Sequence, residues 1–138
     1  MEGSLDTARR FARALDAEDY DTAAACLSST CEYTIRDWIA RGRSAIIASY
    51  GEAGGWAAST LESARYENDV RSEPGAVVIT FFDHLAHRGN TLTHRCEQRL
   101  EFDEAGQICR IVHIDLAGER EALETFLDNL GITRGCNL

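Results

Sequence analysis

Residues 75–116, GAVVITFFDHLAHRGNTLTHRCEQRLEFDEAGQICRIVHIDL, decide the fold of this chain. The stretch is rich in β-branched and aromatic residues, and two clusters of turn-forming residues interrupt it, at 88–90 and at 103–106. It therefore predicts three consecutive antiparallel strands over residues 76–87, 91–102 and 107–116.

The strand predicted over residues 91–102 shows which face of this sheet is buried. Its odd positions from 95 to 101 are all charged, whereas its even positions are mostly apolar. Since successive side chains of a strand point to opposite faces, the even positions face the interior. These are Leu92, His94, Cys96, Gln98, Leu100 and Phe102.

The two turns predict how the neighbouring strands align with the middle one. With a three-residue turn at 88–90, the predicted pairs are Thr80 with Gln98, Phe82 with Cys96, His84 with His94 and, on the other face, Asp83 with Arg95. The last pair joins opposite charges, a favourable cross-strand arrangement. The four-residue turn at 103–106 then places His113 near Cys96 and Asp115 near His94, to within one step of register.

This alignment gathers His84, His94, His113 and Asp115 on one patch of the inner face. Histidine gives and takes protons near neutral pH, and an aspartate beside it can hold the ring in one tautomer. We therefore predict these four residues as catalytic. Two alternatives stay open: the histidines are half-solvated at the open end of the sheet or satisfy backbone carbonyls, or they form a metal site with the carboxylate or Cys96.

Other residues are predicted to shape an apolar cavity next to this patch and to contact a ligand. They are Tyr33, Trp38, Trp56, Phe82, Cys96, Gln98 and Phe102. Core packing is the alternative for the two tryptophans and for Tyr33. No cofactor and no bound metal are predicted.

Composition excludes several classes of function. The chain has 138 residues, a formal net charge of -9 and a pI near 4.8, and it contains no lysine. A negative field repels phosphate groups, so we expect neither nucleic acid nor a membrane as partner. Absence of lysine rules out catalysis through a lysine Schiff base. The length predicts one domain over residues 1–138, with its core at about 5–131.

The cysteines and the start of the chain predict a cytoplasmic protein. Five cysteines without CxxC spacing suit free thiols in a reducing compartment: Cys26, Cys31, Cys96, Cys109 and Cys136. The opening MEGSLDTARRF lacks a charged-then-apolar leader, so we expect no export by a recognisable signal.

Outside the three strands, the sequence predicts four helices and three short or polar strands. Ser4 can cap a first helix that runs to about Ala17, and a second short helix follows Asp19. A helix from Ser44 is expected to break before Trp56, because Gly51, Gly54 and Gly55 weaken it. Helices beside an antiparallel sheet make an α+β domain.

Three segments of the chain resemble the nuclear transport factor 2-like superfamily, in its SnoaL-like and ketosteroid-isomerase-like branch. They are FARALDAEDYDTAAACLS, RGRSAIIASY and EFDEAGQICRIVHID. The resemblance implies a cone-shaped, curved antiparallel sheet wrapped by N-terminal helices, a cystatin-like fold, with a C-terminal helix. This scaffold hosts isomerases, epoxide hydrolases, cyclases, dehydratases and non-catalytic binders, so the resemblance leaves the activity open.

Only some functional residues of this superfamily have a candidate counterpart in this chain. In the limonene epoxide hydrolase branch, an arginine and an aspartate spaced by two lie on the strand corresponding to 76–87, and a further aspartate lies late on the last strand. The resemblance places Phe82, His84 and His113 at these positions, and none matches in residue type. For the tyrosine and two acids of ketosteroid isomerases, it offers Tyr33 and Asp115.

The function predicted is an acid/base isomerase, cyclase or dehydratase acting on a hydrophobic small molecule. The alternative is a non-catalytic dimeric ligand-binding or scaffold module. A cavity of about 300 Å³ or more favours the first, and a packed interior favours the second. We also expect a homodimer through the outer face of the sheet, where an apolar stripe of Ile79, Phe81, Val112 and Ile114 is predicted.

Overall fold

The computed structural model describes residues 2–133. Within these residues, four helices and six strands follow one another. They are α1 (Glu2–Asp16), α2 (Tyr20–Ala25), β1 (Leu27–Ile35), β2 (Trp38–Arg41), α3 (Arg43–Thr60), β3 (Ser63–Glu73), β4 (Ala76–His87), β5 (Asn90–Phe102), β6 (Ile108–Asp115) and α4 (Glu119–Asn129).

The six strands form one curved, open sheet in the order β2-β1-β6-β5-β4-β3. The predicted α+β architecture is confirmed, and β4 has the predicted bounds. One junction differs from the expected antiparallel pattern, because β1 pairs with β6 in parallel, with Tyr33 beside Ile111. The helix α1 begins at Glu2, so the prediction that Ser4 caps it was wrong.

The hairpin between β4 and β5 corrects the predicted register by one residue. Its turn has two residues, since His87 pairs with Asn90. Arg88 and Gly89 both have positive φ, at 50° and 78°, as the type I′ turn that joins twisted strands requires. The observed pairs are Ile79 with Gln98, Phe81 with Cys96 and Asp83 with His94.

This shift exchanges the two faces of β4, because side chains alternate along a strand. Asp83 and Phe81 therefore lie on the inner face, toward the helices, and His84 and Phe82 lie on the outer face. The predicted pairing of Asp83 with Arg95 was wrong: Arg95 faces Phe82. Ile79, predicted to be on the outer face, is fully buried in the core.

The register between β5 and β6 differs from the prediction by two residues. His113 lies opposite Gln98, and Asp115 lies opposite Cys96. A shift of two residues keeps the same face, so His94, Gln98 and His113 all point inward, as expected.

The helices cover the inner face and bury its apolar side chains. Phe11 of α1 is fully buried against Ile79, Leu100 and Ile111, which come from three adjacent strands. A second apolar cluster holds α4 against the other end of the sheet, through Leu127. None of the helices within residues 2–133 is long and apolar enough to cross a membrane.

The helix α3 is continuous, so the predicted break before Trp56 was wrong. Tyr20 of α2 packs against the glycine side of this helix. A Cβ added at Gly54 would lie 3.2 Å from the Tyr20 hydroxyl, and one at Gly51 would lie 3.9 Å from its ring. These two glycines let the tyrosine approach closely, and tertiary packing outweighs their low helix propensity.

The cysteines of the described residues are free thiols: Cys26, Cys31, Cys96 and Cys109. The fifth, Cys136, lies outside the described residues.

Candidate functional site

A cavity of about 190 Å³ lies between the inner face of the sheet and the helices. Apolar and aromatic side chains form most of its wall, and polar side chains gather in two groups. The strands contribute Tyr33, Ile35, Tyr66, Phe81, Asp83, Leu85, His94, Cys96, Gln98 and His113. The helices and loops contribute Leu15, Asp16, Glu18, Tyr20, Arg36, Ser49, Tyr50, Ala53, Gly54, Trp56, Ala57 and Leu123.

The first polar group is a hydrogen-bond network centred on Gln98, which is only 3% exposed. Tyr50 donates to the Gln98 Oε1 atom across 2.5 Å, from α3. The Gln98 Nε2 atom lies 3.1 Å from the Tyr33 hydroxyl and 3.3 Å from His113 Nδ1. The rings of Tyr33 and Tyr50 stack, with centroids 5.3 Å apart. Three strands and one helix therefore meet at a single amide.

The network continues from His113 to an ion pair at the cavity edge. His113 Nε2 lies 3.0 Å from Asp115 Oδ1. Arg36 binds both oxygens of Asp115, through Nη2 and Nε, each at 3.0 Å. Arg36 is the first residue of the tight β1–β2 turn and has a φ of 53°, which positions it beside the end of β6.

Burial at this edge favours a neutral histidine, and a neighbouring charge favours an ionised aspartate. Burial lowers the pKa of His113, and this outweighs the opposite effect of Asp115. Partial burial raises the pKa of Asp115, but the charge of Arg36 and the hydrogen bonds from His113 and Arg36 outweigh this effect, so the pKa lies below its usual value.

The second polar group surrounds Asp83, in the part of the cavity formed by β3, β4 and the end of α1. Burial raises the pKa of Asp83 to about 7, and the charge of Asp16 adds to the rise. Asp16 accepts a hydrogen bond of 2.7 Å from Asn68, and burial also raises its pKa. Tyr66 lies opposite Asp83 in the register, and burial raises its pKa to about 12. Asp83 is therefore a carboxyl group that titrates near neutral pH.

His94 lies beside Asp83, as its cross-strand neighbour on β5. Its side chain is largely buried, and its Nδ1 atom lies 4.0 Å from Glu119 Oε1, at the start of α4. A histidine and a protonatable carboxyl group thus line the same wall of the cavity.

Several of the residues predicted from sequence meet at the cavity. Among the predicted catalytic residues, His94 and His113 line it, and Asp115 contacts His113 from the edge. The predicted ligand contacts that line it are Tyr33, Trp56, Cys96 and Gln98. Burial raises the pKa of Cys96, so its thiol stays protonated at neutral pH.

Besides Asp115, which lies at the edge, four predicted residues do not line the cavity. His84 and Phe82 lie on the outer face, as a result of the one-residue register shift. There, His84 Nε2 contacts Glu67 Oε1 at 2.5 Å and its Nδ1 atom contacts Thr93 Oγ1 at 2.9 Å. The others are Trp38, which is 37% exposed on the edge strand β2, and Phe102, which packs against the core.

Sequence reasoning missed Asp83, Asp16, Tyr50 and Arg36. The sequence of the turn could have identified Asp83. If Arg88-Gly89 is taken as a two-residue turn, the register of β4 shifts by one residue and the Asp83 side chain points to the inner face. Arg36 and Asp115 are far apart in sequence, and no local pattern indicates their contact. Within residues 2–133, no group of three or more histidine, cysteine or acidic side chains is arranged to hold a metal ion.

Comparisons with known proteins bear on the fold. No family model and no curated protein matches the sequence. Among solved structures, an epoxide hydrolase of M. tuberculosis, described as LEH-like, shares 19% identity over 94% of this chain and 96% of its own, with a TM-score of 0.65. A candidate polyketide cyclase from Xanthomonas campestris pv. campestris shares 14% identity over 91% and 97%, with a TM-score of 0.70.

A third similar structure is TerC co-crystallised with polyporic acid, with 12% identity over 91% of this chain and 98% of its own and a TM-score of 0.69. At these identities the likeness establishes the fold. It is the cystatin-like fold of the nuclear transport factor 2-like and SnoaL-like proteins, and the predicted resemblance is confirmed at that level.

Proposed function

We propose that this chain, which has the nuclear transport factor 2-like fold, binds a hydrophobic small molecule in the cavity and moves a proton on it. The main observation in support is that Asp83, a carboxyl group of the cavity, has a pKa of about 7 and lies next to His94 on the adjacent strand. General acid/base catalysis works best when the pKa of the catalytic group lies near the operating pH. Isomerase, cyclase and dehydratase reactions all require such a proton transfer.

Within this proposal, Asp83 and His94 exchange protons with the ligand. His113, held by its hydrogen bond to Asp115, forms part of the cavity wall near Gln98. The observed register also improves the comparison with limonene epoxide hydrolases. The cavity-facing pair spaced by two on β4 is Phe81 and Asp83, so this pair contains an aspartate, as the pair of that branch does, but no arginine. The names of the similar epoxide hydrolase and polyketide cyclase support small-molecule chemistry on this scaffold.

A direct test is the exchange of ketone α-protons for deuterium in D₂O, followed by proton NMR. Suitable probes are small cyclic ketones such as 1-indanone, 2-tetralone and cyclohex-2-enone, which fit an apolar cavity. We expect exchange above the buffer rate, and a loss of about 100-fold or more in Asp83→Asn, since acid/base groups contribute on that scale. Asp69→Asn, at an exposed position of β3, is the matched control and should exchange like the wild type.

The second candidate function is a non-catalytic binding module, and the cavity volume favours it. The observed volume of about 190 Å³ is below the roughly 300 Å³ at which ligand sites begin, although the interior is not fully packed. Ketones that bind but show no exchange above buffer would support this function and contradict proton transfer.

We further propose a homodimer through the outer face of the sheet. The inward positions of Ile79 and Phe81 reduce the predicted apolar stripe, but Ile114 and Ile39 are exposed there, at 36% and 41%, and the half-buried Val112 lies near them. An apolar patch on a sheet face suits a contact between two copies.

Sedimentation equilibrium at micromolar concentration should show a dimer. Replacing Ile114 with glutamate should raise the dissociation constant about tenfold or more, because a charge in an apolar interface costs at least about 1.4 kcal/mol. The control Ala58→Glu adds the same charge on an exposed position of α3. A wild-type monomer, or equal effects of both variants, would contradict the interface.

A further inference from the structure

Negative charge gathers at the end of the cavity that is formed by β3, β4 and the end of α1. Asp16, Glu18 and Asp83 line this end, together with the side chains of Tyr20 and Tyr66. Burial raises the pKa of Tyr66, and the nearby charges of Asp83, Glu18 and Asp16 raise it further. The three carboxyl groups therefore converge on one tyrosine, and a second aromatic ring lies on the same stretch of wall.

In the described part of the chain, no lysine or arginine balances this charge. The sequence contains no lysine. Arg36 lines the cavity, but it already binds both oxygens of Asp115. Burial raises the pKa of Asp16 and of Asp83, and no arginine offsets either rise. This end of the cavity therefore carries an uncompensated negative charge.

Glu18 reaches the cavity through a backbone conformation that favours glycine. It follows the last turn of α1 and has a φ of 57°. Its N–H donates to the Leu15 carbonyl across 3.1 Å, and the N–H of Asp19 donates to that of Ala14 across 2.8 Å. These bonds make a Schellman motif, in which glycine is the usual residue at the left-handed position. Glutamate there places a carboxylate on the cavity wall at a conformational cost.

The chemistry of this end limits what can occupy it. A ligand that fills the cavity displaces water from the carboxylates, and an ionised carboxylate buried without an opposite charge is costly. A neutral or anionic ligand does not offset that cost, whereas a cation does. Within residues 2–133, no group of three or more histidine, cysteine or acidic side chains is arranged to hold a metal ion. Aromatic rings such as those of Tyr20 and Tyr66 attract ammonium groups, so an organic cation fits best.

We propose that the ligand carries a protonated amine, which Asp16 and Glu18 bind at this end of the cavity, beside the two tyrosine rings. Asp16 has its Oδ1 atom left for this contact, because Oδ2 accepts from Asn68 across 2.7 Å. The apolar wall then holds the body of the ligand, and Asp83 stays available for proton transfer. The inference rests on the proposed function in one respect, that the cavity holds a small molecule, and it adds the charged group of that molecule.

The test compares 2-aminoindane, which is protonated at neutral pH, with 2-indanol, a neutral analogue of nearly the same shape. Dissociation constants are measured by NMR titration for the wild type, Asp16→Asn and Glu18→Gln. The wild type should bind the amine about tenfold more tightly than the alcohol. Each variant should reduce this ratio about threefold or more, because each removes one charge beside the ammonium group.

Two further variants separate a charge effect from damage to the fold. Asp69→Asn removes the same charge from an exposed position of β3 and should leave the ratio unchanged. In Glu18→Gly, glycine relieves the left-handed backbone strain, so this variant should unfold at the same temperature as the wild type or higher. It should nevertheless show the reduced ratio.

A wild-type ratio near one, or a ratio that stays unchanged in both Asp16→Asn and Glu18→Gln, would overturn the inference and leave the cavity as a binding site for neutral molecules. A ratio that falls equally in Asp69→Asn would also overturn it, because the preference would then reflect only the net charge of the protein. Failure of the wild type to bind either probe would overturn the proposed function and this inference together.

Discussion

Replacing Asp83 with asparagine should stabilise the protein at pH 8 by about 2 to 3 kcal/mol. The rise of the pKa from 3.8 to about 7 sets an upper limit of about 4 kcal/mol, since one pKa unit is worth about 1.4 kcal/mol. The expected value is lower than this limit because Asp83 is only half-buried and keeps some solvent contact. Asparagine resembles the protonated carboxyl group in shape but has no charge to desolvate.

The stability gained in Asp83→Asn should increase with pH. A carboxyl group with a raised pKa in the folded state contributes stability below its unfolded pKa of 3.8, and this contribution is lost as pH rises through about 7. The advantage of Asp83→Asn should therefore be smaller at pH 5 than at pH 8. Urea unfolding at both pH values measures it, with Asp69→Asn as the control. A variant that is equally or less stable at pH 8 would contradict the assignment.

Removing the amide of Gln98, by replacement with leucine, should cost about 2 to 4 kcal/mol of unfolding free energy. Gln98 is 3% exposed and bonds to Tyr50, Tyr33 and His113. Leucine leaves these three polar groups without their partner, and each unsatisfied buried group costs about 1 to 3 kcal/mol. The total cost should be lower than the sum of three such penalties, because water from the cavity can replace part of the lost hydrogen bonding.

A double-mutant cycle separates this network from a packing effect. If the Tyr50–Gln98 hydrogen bond contributes as proposed, the loss in Tyr50→Phe with Gln98→Leu should be about 1 kcal/mol or more below the sum of the single losses. Gln107→Leu, in the turn between β5 and β6, is the control for the same substitution elsewhere. Additive losses, or a loss in Gln98→Leu below about 0.5 kcal/mol, would show that the network is not a source of stability.

Local sequence patterns predicted most of the fold. The charged odd positions of β5 identified its buried face, and that face is the one observed. The pattern in β4 was weaker, since Val77 and Val78 are both apolar, as are Phe81 and Phe82. Its inner face was therefore fixed by the length of the neighbouring turn alone, and an error of one residue there exchanged His84 for Asp83.

The remaining features of the candidate site depend on contacts between distant parts of the chain. The parallel pairing of β1 with β6 and the binding of Asp115 by Arg36 join segments with no shared local signal. The continuity of α3 depends on Tyr20, which packs against Gly51 and Gly54 from another helix. Helix propensity alone predicted a break, because it contains no information about that tertiary contact.

The most direct test of the proposed site is a carbon-13 NMR titration of the Asp83 carboxyl group in the folded protein. Assignment comes from Asp83→Asn, which removes the signal. A midpoint near the pKa of about 7 is expected for a carboxyl group that exchanges protons with a ligand at neutral pH. A midpoint near the ordinary value of about 4 would show an ionised, solvated aspartate and would contradict its role as the acid/base group of the cavity.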